Sequence, residues 1–166
     1  MTFFHYSSLH ECVQGQQEGY KKCLKKCVTC SAIILNKVFR SSQTGMIYSV
    51  PKVKVSCDSR NVIYLISCTN CELQYVGKCE TQLKRRHHKH RTQIRNNKEG
   101  VGRHFSSCGG MDALRLQVID VAARNDLRRR EDHWIQELQT LTPDGFNLRK
   151  ESKSKKNVLQ EPREKV

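Results

Sequence analysis

Two kinds of apolar spacing succeed one another along this chain. From Asn61 to Ser67 runs Asn-Val-Ile-Tyr-Leu-Ile-Ser, dense in β-branched and aromatic residues, and Leu73 to Lys78 is a second such run. Side chains of these types suit a pleated, half-buried surface, so both runs predict strands. The segment between them, Cys68-Thr69-Asn70-Cys71-Glu72, is short enough to close a hairpin, which makes the strands antiparallel. The period then lengthens. Leu83, His87, His90 and Ile94 share one face of a helix over about Thr81 to Asn96. A short helix is expected over Val101 to Phe105, and Leu114 to Val121 alternates as a third strand. Asn125 can cap a longer helix reaching about Thr140, on which Leu127, Trp134, Ile135 and Leu138 form an apolar stripe. Pro143-Asp144-Gly145 is a turn. Upstream, residues 31 to 56 alternate loosely around Gly45 and Pro51 and read as strand fragments and loops; residues 1 to 20 carry little pattern. Strands and helices mixed in this order predict an α+β domain.

Length and charge sharpen this. The 166 residues suit one domain with a small appendage. Thirty Lys and Arg stand against 16 Asp and Glu, a formal charge of +14, which implies an anionic partner, above all nucleic acid. The charge is concentrated: from Thr81 to Lys98 there are seven basic residues and no acidic one. No apolar run approaches ~18 residues, so no membrane span is expected. Met1 to Val13 shows neither a basic start nor an apolar run, so no secretory signal is expected and the chain reads as intracellular. Beyond Lys150 the chain is polar and charged, and a disordered tail is expected.

Without a secretory signal the nine cysteines are better read as metal ligands than as disulfides. Cys68-x-x-Cys71 is half of a zinc site, and His104-x-x-x-Cys108 supplies a second pair. Cys23-x-x-x-Cys27-x-x-Cys30 needs a fourth ligand, for which Cys57 is the first choice and Cys12 the second. Free buried thiols are the alternative, though lysines interleave the run. Cys79 is left over, His87 and His88 read as solvent or phosphate contacts, and His133 has no assignment.

One carboxylate is out of place. Glu131 lies inside the apolar stripe, four residues after Leu127. A carboxylate facing a core costs several kcal/mol unless it is paired or binds a cation. A glutamate bonded to an arginine and a metal ligand are both open readings. Arg86 and His90, at i and i+4, share a helix face. Arg85 lies about 100° round that helix, so the two arginines cannot point into one site. Tyr64 and Tyr75 fall on adjacent strands, where packing alone would explain them.

In order, Val62-Ile63-Tyr64, Tyr75-Val76-Gly77, Arg86, Glu131 and Asn147 resemble the motifs of the GIY-YIG nuclease family. The resemblance covers about Cys57 to Lys150. It implies a small three-stranded antiparallel sheet flanked by helices and an endonuclease that cuts phosphodiester bonds. In that family Arg86 would grip the scissile phosphate, with His90 on its face; the register Leu83-x-x-Arg86-x-x-x-His90 matches the first-helix pattern. One of Tyr64 and Tyr75 would help deprotonate the attacking water while the other supports the site. Glu131, three residues before Trp134, would hold one catalytic Mg or Mn ion, and Asn147 would order the site's edge. One departure is Val62, where the family has glycine. The inserted Cys68–Cys71 pair is similar to that of the nucleases of Penelope-like retroelements, with Cys108 where a histidine is usual.

These readings together predict a cysteine-rich basic segment over residues 1–56, a nuclease domain over 57–150 and a charged tail over 151–166. The expected cofactors are two structural zinc ions, on Cys68, Cys71, His104 and Cys108 and on Cys23, Cys27, Cys30 and Cys57, besides the catalytic ion. The expected partner is DNA, contacted by Lys78, Lys84, Arg85, Lys89, Arg91 and Arg95, in the nucleus, with a reverse transcriptase encoded elsewhere and no small-molecule substrate. A catalytically inactive, zinc-stabilised nucleic-acid-binding module is the alternative.

Overall fold

The computed structural model describes residues 20–23, 26–98 and 100–148. The expected disordered tail and Cys12 lie outside them. In chain order the elements are β1 (Tyr20–Lys21), α1 (Val28–Ala32), β2 (Val38–Arg40), β3 (Ile47–Ser49), β4 (Val55–Ser56), β5 (Val62–Cys68), β6 (Gln74–Cys79), α2 (Leu83–Arg95), α3 (Val101–Ser107), a 3-10 turn (Gly110–Ala113), β7 (Leu114–Val121) and α4 (Leu127–Glu137). The central sheet has three antiparallel strands in the order β6-β5-β7. This is the expected α+β architecture. No helix among the described residues is long and apolar enough to cross a membrane.

β5 is the middle strand and is buried along nearly its whole length. Its alternation divides the core. Val62, Tyr64, Ile66 and Cys68 face a cluster with Leu83 and Ile94 of α2, and Val101 and Phe105 of α3. Ile63 and Leu65 face the other, with Leu127 and Ile135 of α4 and Phe39 of the β2–β3 hairpin. β7 serves both layers by the same alternation, interrupted by one bulge. Tyr64 pairs with Val118 and Ile63 with Asp120, so Ile119 is the extra residue. Leu116 and Val118 then join the first cluster and Ile119 the second.

The upstream segment packs on the free edge of this sheet. The Ile34 amide donates to the Leu116 carbonyl at 2.8 Å, and the Gln117 amide group donates to the carbonyls of Asn36 and Val38. β1 and β4 pair in parallel, and Ile33 and Val55 join the first core cluster.

Two sequence readings need correction. Asn125 is not the cap of α4. The Asp126 amide bonds to the Ala123 carbonyl, a turn that carries the chain one residue further, and Asp126 takes the N-cap position. Its carboxylate binds Arg129 instead of capping. His87 is not a solvent or phosphate contact. It is 1 % exposed, because it lies on the same inward face of α2 as Leu83, His90 and Ile94. His88 is exposed, as expected.

Gly77 has a steric reason to be glycine. It is paired with Tyr64, and a Cβ there would meet the Tyr64 hydroxyl, stand 2.6 Å from Tyr64 Cζ and 2.7 Å from Tyr75 Cε1. Both tyrosine rings lie over the space this residue leaves empty. Gly77→Ala is expected to lower stability by about 1–3 kcal/mol, the usual cost of overpacking a closed core. Urea unfolding with an unchanged midpoint would show that the rings have room to move.

Candidate active site and metal centres

Tyr64 projects from the middle of β5 and is fully buried. Its hydroxyl meets two groups from α2. Arg86 donates through Nε at 2.7 Å, and His90 Nε2 lies at 2.8 Å. Arg86 also donates through Nη2 to the Tyr75 hydroxyl at 3.4 Å. These contacts need residues one helical turn apart, and the i, i+4 spacing supplies them. Arg85 is exposed on the outer surface, whereas Arg86 is turned inward.

His90 Nδ1 stands 3.0 Å from Gln93 Oε1. An amide oxygen only accepts, so Nδ1 carries the proton and Nε2 accepts from the Tyr64 hydroxyl. Burial, helped by the Arg86 charge, lowers the His90 pKa to about 3, so the ring is neutral. Burial likewise pushes the Tyr64 phenol well above its usual value, with the Arg86 charge opposing. Sequence reasoning missed Gln93. Its signal was present, three residues after His90 and seven after Arg86 on the same face.

A cleft of about 270 Å³ opens beside these groups, lined among others by Tyr75, Arg86, His90, Gln93, Glu131 and Asn147. Tyr64 sits behind Arg86 and does not line it. Glu131 arrives from α4 and is half-buried, and its Oε1 accepts the Lys78 amide of β6 at 3.2 Å. The stripe around it is confirmed, since Leu127, Ile135 and Leu138 are buried. The neighbouring Arg130 binds Asp120 of β7, which also accepts from Trp134 Nε1 at 2.8 Å. Asp120, 7 % exposed, was missed too, and unlike Gln93 it has no signal in the sequence. A half-buried carboxylate on an open cleft suits a hard divalent cation, whose other ligands are water and phosphate oxygens.

Asn147 holds the cleft's edge. Its Oδ1 accepts the Val76 amide at 2.9 Å and the Thr140 hydroxyl at 2.7 Å, and its Nδ2 donates to the Val76 carbonyl at 2.8 Å. One side chain thus fastens the last segment to β6.

Both expected cysteine groups come together. Cys68, Cys71, His104 and Cys108 form one and Cys23, Cys27, Cys30 and Cys57 the other, with ligand atoms within 4.8 Å of one another in each. Two thiolates on one tetrahedral zinc stand about 3.8 Å apart, given Zn–S bonds of about 2.3 Å. Cys68 and Cys108 are 3.7 Å apart, and Cys23 and Cys30 are 3.5 Å apart. Both groups therefore fit a zinc ion. In the second, burial would raise the Cys27 thiol, but the amides of Cys30 and Thr29 and the neighbouring thiols outweigh it and hold it at about 7. In the first, the His104 ring packs on Phe146 at 4.0 Å between centroids, beside Asn147.

Of the basic residues expected to meet DNA, Arg85, Lys89 and Arg95 are exposed and Arg91 is half-exposed, all on α2. Lys84 is exposed but paired with Asp58 at 2.6 Å. Lys78, on β6, is 3.9 Å from Glu80.

The family profile described as the GIY-YIG catalytic domain matches residues 60–147. Neither the curated proteins nor the solved structures give a match. The profile spans more than half of the chain, from just before β5 to Asn147, and so takes in Tyr75, Arg86, His90, Glu131 and Asn147 of the cleft. The chain belongs to the GIY-YIG nuclease family.

Proposed function

We propose that this chain is a metal-dependent endonuclease that hydrolyses DNA phosphodiester bonds, as a nicking enzyme. The observation that carries the reading is the meeting of Tyr75, Arg86, His90, Glu131 and Asn147 on one cleft from distant stretches of chain. Arg86 takes the scissile phosphate. The two phenols that accept its N–H groups fix the guanidinium plane before substrate arrives, which is the preorganisation electrostatic catalysis needs. His90 is neutral with Nε2 as its acceptor, reached by the Tyr64 hydroxyl. Tyr64, sealed behind Arg86, and the neutral His90 support the site by holding that arginine in place. Tyr75 is the phenol open to the cleft, placed to orient the attacking water and help deprotonate it. A divalent Mg or Mn ion on Glu131 would polarise the phosphate and stabilise the leaving oxygen.

The two cysteine groups are read as structural zinc centres with four protein ligands each and no position for water. The exposed basic residues Arg85, Lys89, Arg91 and Arg95 track the phosphate backbone, with Lys78 near the cleft. The Cys68–Cys71 insertion supports an origin in a Penelope-like retroelement, with action in the nucleus beside a reverse transcriptase encoded elsewhere.

Three outcomes test this. Glu131→Gln should abolish plasmid nicking in magnesium or manganese while leaving DNA affinity largely intact; nicking at the wild-type rate would remove Glu131 from the site. At saturating DNA, Arg86→Ala should lose on the order of 10²-fold in rate. Arg85→Ala should instead weaken binding and flatten its salt dependence. A larger rate loss for Arg85→Ala would reverse the assignment. Metal analysis of protein purified without added metal should find two zinc ions per chain. Cys68→Ser should remove one and destabilise the fold. An intact fold with almost no zinc would sink both centres.

A further inference from the structure

The N-terminal cysteine centre takes no part in the chemistry above, yet it grips the helix that carries Arg86 and His90. The first N–H groups of any helix lack partners within it. In α2 no side chain caps them. The Leu83 amide donates to the Ser59 carbonyl at 2.9 Å and the Lys84 amide to the Cys57 carbonyl at 2.8 Å. Cys57 is one of the four clustered cysteines. Asp58, between those two carbonyls, also accepts from the Gln82 side chain at 3.0 Å and pairs with Lys84.

A second contact lies one turn further on. Thr29, between Cys27 and Cys30 on α1, has its hydroxyl 3.0 Å from His87 Nδ1, and both residues are buried. The other ring nitrogen, His87 Nε2, is buried without a hydrogen-bond partner. An apolar side chain would avoid that unmet group, so the histidine is there for its bond to Thr29. His87 is the neighbour of Arg86. A displacement of α2 by about 1 Å would break the 2.7 Å bond between Arg86 and Tyr64 and misplace the phosphate grip.

We propose that the Cys23, Cys27, Cys30 and Cys57 centre anchors α2, with Thr29, His87 and the Cys57 carbonyl as positioning groups for Arg86 and His90, so that metal at this centre sets turnover. The proposal rests on the nuclease reading. The competing role is a knuckle that only adds DNA contacts through Lys21, Lys22 and Lys26. That role predicts a change in DNA affinity, whereas anchoring predicts a change in kcat.

The test uses the full chain. Thr29→Val keeps the shape and all four cysteines but removes the hydroxyl. It should keep its zinc and its Kd for DNA while kcat falls about 10-fold or more, and Thr29→Ser should restore the rate. Cys27→Ser should lose one zinc ion, and amide exchange at Leu83 and Lys84 should quicken in it at least about 10-fold while β5 amides stay protected. Wild-type kcat in Thr29→Val, or a loss confined to Kd, would overturn the proposal. So would unchanged Leu83 and Lys84 exchange in Cys27→Ser. If Cys27→Ser does not fold, Leu83 and Lys84 exchange in Thr29→Val decides in the same way. A wild-type chain that never cuts DNA would sink the nuclease reading instead, and the exchange arm would still judge the anchor.

Discussion

The Tyr64 hydroxyl, held between Arg86 and His90, is the contact around which the molecule is arranged. A guanidinium turned into a protein interior loses hydration, and a buried polar group without partners costs more than the bond it gives up. The phenol and the neutral imidazole satisfy each other and the arginine at one point. That solution demands a tyrosine in the central strand, a glycine opposite it and a helix with two inward polar residues one turn apart. Each is met, by β5, Gly77 and α2.

The sheet then serves as the frame for groups that come from elsewhere. β6 carries Tyr75 on one side, and its Val76 backbone is the anchor for Asn147. The amide of Lys78, two residues on, receives Glu131 from α4 on the opposite layer. Asp120 braces α4 through Arg130 and Trp134, which fixes where Glu131 can reach. Glu131 and Asn147 are thus fastened at the cleft by short-range bonds to backbone. Such bonds hold position better than long flexible side chains do, because fewer rotors must be frozen.

A domain of this size has a limited apolar core. The two cysteine groups lie at the β5–β6 hairpin and at the segment leading into β5. A metal in each would add binding free energy to folding free energy. The hairpin group also supports Phe146 through His104, so it lies directly under the cleft's edge.

By itself the sequence determined the local elements and the chemical types. The β-rich runs gave β5 and β6 within a residue, Leu114–Val121 gave β7, and the spacing of Leu83, His87, His90 and Ile94 gave the inward face of α2. Glu131 stood out because a carboxylate in an apolar stripe needs a reason, and spacing marked the Cys68–Cys71 and His104–Cys108 pairs and the Cys23, Cys27 and Cys30 run, while Cys57 was a choice over Cys12. These signals are periodic or local, so they survive in one dimension. What only the tertiary structure decided is pairing across long separations. Thr29 with His87, Asp120 with Arg130 and Trp134, and Asn147 with Val76 have no fixed spacing that could announce them. The same limit explains His87, whose helix face was legible but whose burial depended on a helix 58 residues upstream. It explains the two tyrosines as well. Their strands could be read, but which phenol is sealed behind Arg86 and which opens on the cleft depends on how α2 crosses the sheet.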